Sequence, residues 1–172
     1  MNWKKIDEHL VRDGYRKIIS KTFIMPNGKE GKVEIKDEGR SVCVLALTKG
    51  NTVILAKQFR AGPEKILLEL PGGGVMPDED LEDAARRELL EETGYRGELQ
   101  YVGSSLICAY SNRVSSCFVA TNCHKLQEQK LDPTEFIEVV EMPLSEFRNH
   151  VRSGQLSDVG SAYQCLDFLK LL

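Results

Sequence analysis

Between Gly73 and Tyr95 the chain reads GGVMPDEDLEDAARRELLEETGY, a glycine-rich turn that runs into a helix with acid on its apolar face. At about 100° per residue, Leu81, Ala84, Ala85 and Leu89 form one stripe, and Glu88 and Glu92 fall in the middle of it. Two carboxylates therefore point where a core should be. A buried, unpaired carboxylate is costly, so the pair must be protonated, matched by cations or bound to a metal. Glu88, Glu91 and Glu92 crowd the helix end with only Arg86 and Arg87 nearby, and that balance favours a metal. All-oxygen ligands imply a hard ion, Mg²⁺ or Mn²⁺. The plainer reading, a solvated helix laced by Glu82→Arg86 and Asp83→Arg87 pairs, suits those four residues. It fails for Glu88 and Glu92, because solvated glutamates belong opposite the alanines.

Gly73, Glu79, Arg87, Glu88, Leu89, Glu91, Glu92 and Gly94 occupy the required positions of G-x5-E-x7-R-E-U-x-E-E-x-G-U, the signature of the Nudix hydrolases, with U aliphatic. The segment resembles that signature closely. Only Tyr95 departs from the aliphatic class, and it is still a large apolar packing residue.

The rest of the chain bounds the answer. With 172 residues, one domain spanning 1–172 is expected, large enough to bury a core without staples. A formal charge of −3 argues against a general nucleic-acid binder. No segment reads as a signal peptide or approaches the ~20 apolar residues of a membrane span, so a cytoplasmic location with no membrane partner is expected. The 5 cysteines show neither C-x-x-C pairing nor zinc spacing, and free thiols fit best. His9, His124 and His150 are too dispersed to suggest a histidine centre.

Along the chain, residues 15–25 and 31–38 read as extended segments around Pro26-Asn27-Gly28, an N-terminal β-ribbon within 1–38. Residues 41–47 and 52–59 read as strands joined through Lys49-Gly50-Asn51. Residues 66–70 lead into Pro71-Gly72-Gly73-Gly74, where proline stops the strand and glycine permits close approach. Asp80 is the expected N-cap and Gly94 the C′ residue of the box helix. Residues 100–109, 114–121 and 136–142 are further strand candidates, and 144–153 and 159–171 read as closing helices. Strands, helix, strands, helices predict an α+β fold with a mixed sheet. The family resemblance specifies the Nudix α/β/α sandwich, with the N-terminal ribbon attached and the box at 73–95.

The resemblance also implies roles. Glu88 and Glu92 would be the principal metal ligands, Glu91 would serve a metal directly or through water, and the Gly72 carbonyl would complete the near side. Arg87 would orient these carboxylates. Glu79 either supports the site or is a solvated turn residue. The catalytic base is expected at Glu135, chosen over Glu128, Glu138 and Glu141 because Glu135-Phe136-Ile137-Glu138-Val139 resembles the loop-to-strand junction of ADP-ribose pyrophosphatases. Resemblance to that branch covers nearly the whole chain, including Gln58-Phe59-Arg60, Leu68-Glu69-Leu70-Pro71-Gly72-Gly73 and Gly154-x-Leu156-x-Asp158. It implies substrate contacts at Arg60 and Glu69 and a homodimer formed through the ribbon. For Arg60, a surface salt bridge is an equal alternative.

One departure stands out. Where many ADP-ribose enzymes carry proline and then an acidic residue, this chain reads Cys108-Ala109-Tyr110-Ser111-Asn112-Arg113, so Arg113 would make the pocket more positive. Tyr110 would stack on a base or pack in the sheet, and packing is favoured. Trp3 is read as packing. The expected activity is divalent-metal-dependent hydrolysis of the pyrophosphate in a nucleoside diphosphate linked to another moiety, with ADP-ribose leading. The rivals are a dinucleoside polyphosphate, a nucleotide sugar or another nucleotide as substrate. From a different class, a non-catalytic nucleotide-sensing module is disfavoured because every acidic box position is filled.

Overall fold

A computed structural model describes all 172 residues, Met1–Leu172. The chain separates into two compact units. The first comprises residues 1–40 and 105–115. Its sheet has the order β1 (Lys4–Arg12), β2 (Lys17–Ile24), β3 (Glu30–Asp37), and both pairings are antiparallel. The β2–β3 turn forms at the expected Pro26-Asn27-Gly28, with Gly28 at φ 79° and the Asn27 side chain accepting from the Lys29 N–H at 3.0 Å. Strand β1 was not anticipated, since its sequence KKIDEHLVR has no buried face to impose alternation and every residue of it is exposed. Residues 110–112 join this sheet's margin: Lys36 N–H donates to the Tyr110 carbonyl at 2.9 Å, and Asn112 N–H to Lys36 at 3.2 Å. The strand expected to reach residue 109 ends earlier, at Leu106. Tyr110 lies in a turn with its side chain 67% exposed, so packing within a sheet does not hold for it.

The second unit comprises residues 41–104 and 116–172. Its strands are β4 (Arg40–Thr48), β5 (Thr52–Arg60), β6 (Lys65–Glu69), β7 (Tyr95–Leu106), β8 (Val114–Lys125) and β9 (Glu138–Pro143). They form one sheet in the order β6-β5-β4-β8-β7, with β9 added beside β5. Helix α1 (Leu81–Thr93) covers one face, and α2 (Leu144–Ser153) with α3 (Val159–Phe168) the other. Alternation along β4 shows why: Val42, Val44 and Ala46 join Ala84, Ala85 and Leu89 of α1. Cys43, Leu45 and Leu47 join Phe147 and Val151 of α2 and Ala162, Cys165 and Leu166 of α3. A strand buried on both faces must read as a continuous apolar run, as VCVLAL does. This is the α/β/α sandwich.

One irregularity in the sheet positions the glycine loop. Strands β4 and β5 pair only near their hairpin, at Ala46↔Ile54 and Leu47↔Val53. Ala56 and Lys57 pair with both β6 and β9, which must therefore lie on opposite edges of β5, leaving β4 and β6 to share one edge. On leaving β6 the chain changes partner: Val44 N–H donates to the Pro71 carbonyl and Val42 N–H to that of Gly73, each at 2.9 Å. Pro71–Gly73 thus fills the fork between β4 and β5. A Cβ on Gly72 would lie 2.2 Å from the Val42 carbonyl oxygen, so no larger residue fits there.

Candidate active site

Helix α1 is capped as its sequence requires. Asp80 accepts from the Glu82 N–H at 2.8 Å, Glu82 and Asp83 place acid in the first turn, and Gly94 at φ 75° donates to the Leu90 carbonyl. The helix turns Ala84, Ala85, Leu89 and Glu92 into the interior, with Glu92 only 5% exposed. Its carboxylate accepts from the Gly72 N–H at 2.8 Å. The Pro71 and Gly73 carbonyls face β4, and in extended chain the next residue's polar groups face the other way. The Gly72 N–H accordingly points away from β4, toward the Glu92 carboxylate. The Glu88 side chain is 13% exposed. A Cβ on Gly73 would meet both its carboxylate oxygens, at 2.5 and 2.7 Å, so glycine makes the space that Glu88 occupies.

Arg87 organises the outer half. Its Nε and Nη2 donate to Glu79 at 2.8 and 3.1 Å, Nη1 to Glu88 at 2.8 Å and to Glu91 at 3.2 Å, and Nη2 to the Gly74 carbonyl at 3.1 Å. Every N–H of the guanidinium is thereby used, which the three donors of a lysine would not match. The expected Asp83→Arg87 pair gives way to these partners, while Glu82→Arg86 forms at 2.7 Å. Glu79 is no solvated turn residue: Arg87, then the Met76 N–H, hold its carboxyl down to about 2.

Burial pushes Glu92 up to about 8, against the Gly72 N–H, and the nearby charges of Glu88 and Glu135 push the same way. Burial also raises Glu88, with Arg87 opposing and Glu91 and Glu135 reinforcing. Glu135 follows a turn in which its N–H donates to the Asp132 carbonyl at 2.9 Å and its carboxylate accepts from the Asp132 N–H at 3.1 Å. The box glutamates and Glu135, distant in sequence, therefore share one electrostatic neighbourhood.

Arg60 and Glu69 meet at the adjacent strand ends. Arg60 Nε lies 2.7 and 2.9 Å from the two Glu69 oxygens, Nη2 also donates to Glu69, and Gln58 Nε2 adds a bond at 3.0 Å. Glu69 is 3% exposed, whereas the arginine side chain is 48% exposed. Glu69 raises the Arg60 pKa, with burial opposing and Glu92 and Asp158 adding to the rise. Asp158 is itself raised by burial and by Glu69. Sequence reasoning did not select Gln58 or Asp158. The alternation of Gln58 with Arg60 on one strand face was the available signal for Gln58, and for Asp158 only its place ahead of the last helix.

An all-oxygen donor set with a surplus of buried negative charge fits a hard divalent cation. Glu88 and Glu92 turn toward the Gly72–Gly73 turn, and Gly72 gives its N–H to Glu92. The carboxylates are nonetheless spread over separate donors, Glu88 and Glu91 on Arg87 and Glu92 on Gly72, and no group of three acidic, histidine or cysteine side chains is drawn together at coordination distance. No helix is long and apolar enough to cross a membrane.

The fold defines a Nudix-type sandwich. A crystal structure of an ADP compounds hydrolase superposes with TM-score 0.80 over 100% of this chain and 98% of that one, at 19% identity. The NUDIX domain family matches residues 37–158, and the chain belongs to that family as a Nudix hydrolase. It is 34% identical to the ADP-ribose pyrophosphatase of Bacillus subtilis (strain 168), over 86% of this chain and 80% of the relative. It is 30% identical to the methanol dehydrogenase activator of Bacillus methanolicus, over 78% and 74%. Identity to the GDP-mannose pyrophosphatase of Cronobacter sakazakii (strain ATCC BAA-894) is 28%, over 92% and 90%.

Proposed function

We propose that this chain hydrolyses the pyrophosphate of a nucleoside diphosphate linked to another moiety, with ADP-ribose the leading substrate and AMP and ribose 5-phosphate the products. The observation that carries the reading is the pair of buried Glu92 and half-buried Glu88 beside the Gly72–Gly73 turn. The family and the 34% identity to an ADP-ribose pyrophosphatase support the substrate class.

Glu88, Glu91, Glu92 and the Gly72 carbonyl would hold Mg²⁺, or Mn²⁺ in its place. That ion supplies charge neutralisation at the phosphate oxygens. Arg87 fixes the rotamers of Glu88 and Glu91 through its saturated fork. Glu135 takes the proton of the attacking water. Arg60 presents the exposed part of its guanidinium to the substrate, and Glu69 orients it. Glu135→Gln is expected to lower kcat by about 10²–10³-fold with metal affinity kept, and near-normal turnover would remove Glu135 from the mechanism.

A nucleotide sugar is the second reading, favoured by the GDP-mannose pyrophosphatase relative that aligns over 92% of the chain. Turnover of ADP-ribose and GDP-mannose side by side with Mg²⁺ decides between them. A tenfold preference for GDP-mannose would overturn the first reading, and binding without phosphate-bond cleavage would leave only a sensor. The partner at the ribbon is proposed to be a second copy of the chain, since β1 exposes Ile6, Leu10 and Val11 by about half each. Sedimentation as a monomer at micromolar concentration would contradict that.

A further inference from the structure

The last turn of a helix leaves carbonyls without intrahelical partners. In α1 they are taken by the loop that carries Glu135. Lys130 N–H donates to the Glu91 carbonyl at 2.9 Å, and Leu126 N–H to that of Gly94 at 2.8 Å. Gln129 Nε2 donates to the Glu92 carbonyl at 2.5 Å and to the Ile137 carbonyl at 3.1 Å. Both partners are carbonyl oxygens, so the NH₂ end of the amide must face them, with one N–H for each. A Cβ on Gly94 would lie 2.1 Å from the Gln127 carbonyl oxygen, which records how closely the loop crosses the helix end.

From this geometry we infer that Gln129 is a positioning residue for the hydrolytic reaction, one amide that clamps the glutamate-bearing turn of α1 to the loop-to-strand junction and so sets Glu135 opposite Glu88 and Glu92. The inference rests on the reading of Glu135 as base. The two bonded carbonyls belong to segments that each carry a site residue: Glu92 is itself a site carboxylate, and Ile137 follows Glu135 by two residues. The Lys130 and Leu126 bonds tie only the near end of the loop to the helix. Gln129 alone reaches from the helix to the entrance of β9, the far end of the segment that contains Glu135. Without its two N–H groups, residues 131–136 would be anchored only through their own turn and through β9, and the carboxylate would sample a wider space. Misplacement of a base by about 1 Å costs on the order of 10²-fold in rate. Both N–H groups of Gln129 are spent on main-chain carbonyls, so its effect should fall on kcat and spare KM.

The test uses the full chain with Mg²⁺ and ADP-ribose and compares Gln129→Met, Glu135→Gln and the double variant. Methionine keeps the length of the side chain and removes both donors. The expected result is a 10- to 100-fold loss of kcat in Gln129→Met, with KM for substrate and for Mg²⁺ within about twofold, and no further loss when it is added to Glu135→Gln. An unchanged kcat, or an equal loss on both backgrounds, overturns the inference. Normal turnover by Glu135→Gln would sink the base assignment, and a slow Gln129→Met beside it would show that the amide acts by another route. Amide hydrogen exchange supplies a readout independent of activity. Gln129→Met should speed exchange across 127–137 by tenfold or more with β4 and β5 unchanged, and unchanged exchange there refutes the clamp whatever the substrate proves to be. Gln129→Glu, of nearly the same shape but with a carboxylate facing two carbonyls, serves if the methionine variant fails to fold and should give the same pattern.

Discussion

Arg87 and Arg60 each bind glutamate, in opposite ways. Arg87 sits on a helix, spends every N–H on five acceptors, and leaves no donor for a ligand. Arg60 ends a strand, grips one buried carboxylate from the side, and keeps nearly half its side chain in solvent. The first arrangement fixes protein groups relative to one another, and the second holds out a cation whose direction is set from behind. The lesson is that the same ion-pair chemistry gives a framework or a contact surface according to how many acceptors surround the guanidinium.

The comparison breaks most severely if the glutamates at the end of α1 are dispensable. Glu92→Gln keeps an acceptor for the Gly72 N–H and removes the charge. We expect kcat/KM to fall by about 10³-fold or more in a Mg²⁺ assay, and activity within tenfold of the parent would discard the framework. Arg87→Lys comes next: with three donors for five acceptors, kcat should drop by roughly 10²-fold while KM changes little. Arg60→Ala should do the reverse, raising KM by about tenfold with a smaller effect on kcat. The same variant strands buried Glu69 and should lower stability by about 2 kcal/mol, toward the low side for a broken pair because Arg60 is half solvated. A kcat effect at Arg60 as large as that at Arg87 would erase the distinction.

Stability also depends on pH. Glu92 in the folded protein holds its proton up to about 8, while the unfolded chain releases it in the ordinary carboxylate range. Between those values the native state binds more protons, so metal-free stability is full below the window and declines as pH rises to about 8. The slope is at most ~1.4 kcal/mol per pH unit for one proton. Glu79, lowered to about 2 chiefly by Arg87, acts in a separate, more acidic window and with opposite sign, its contribution being lost as pH falls toward 2. Thermal melts of metal-free protein from pH 5 to 8 should show the decline, and Glu92→Gln should abolish it. A rising Tm across that range in the parent would contradict the burial of Glu92.

Much of the box was legible because its signals are local. Asp80 and Gly94 cap the helix where side-chain chemistry says they should, and the inward direction of Glu88 and Glu92 follows from helical periodicity. The apolar run at 41–47 likewise marked a strand, and its burial on both faces is the fold's addition. What stayed hidden depends on pairings between distant residues. Nothing in Lys4–Arg12 distinguishes an exposed strand from a loop until β2 is beside it. Arg87 was expected to orient the box carboxylates, and it holds Glu88 and Glu91; that Glu79 replaces the Asp83 pair and that Glu92 turns to Gly72 shows only in the fold. Gln129 belongs to no motif, and its role exists only where the helix end and the β9 entrance converge. The contact between Arg60 and Glu69 likewise joins two strands, β5 and β6, and shows only in the fold.

The change of partner by the chain after β6 has a consequence for how this molecule tolerates insertions. An extra residue in the turn at 61–64, outside the paired segments, would be absorbed by looping out. One inserted between Glu69 and Pro71 would slide the glycines by a single step and exchange inside for outside along the fork. The Gly72 N–H that now donates to Glu92 would then be turned toward β4. Length variation is therefore free on one side of a five-residue strand and forbidden on the other.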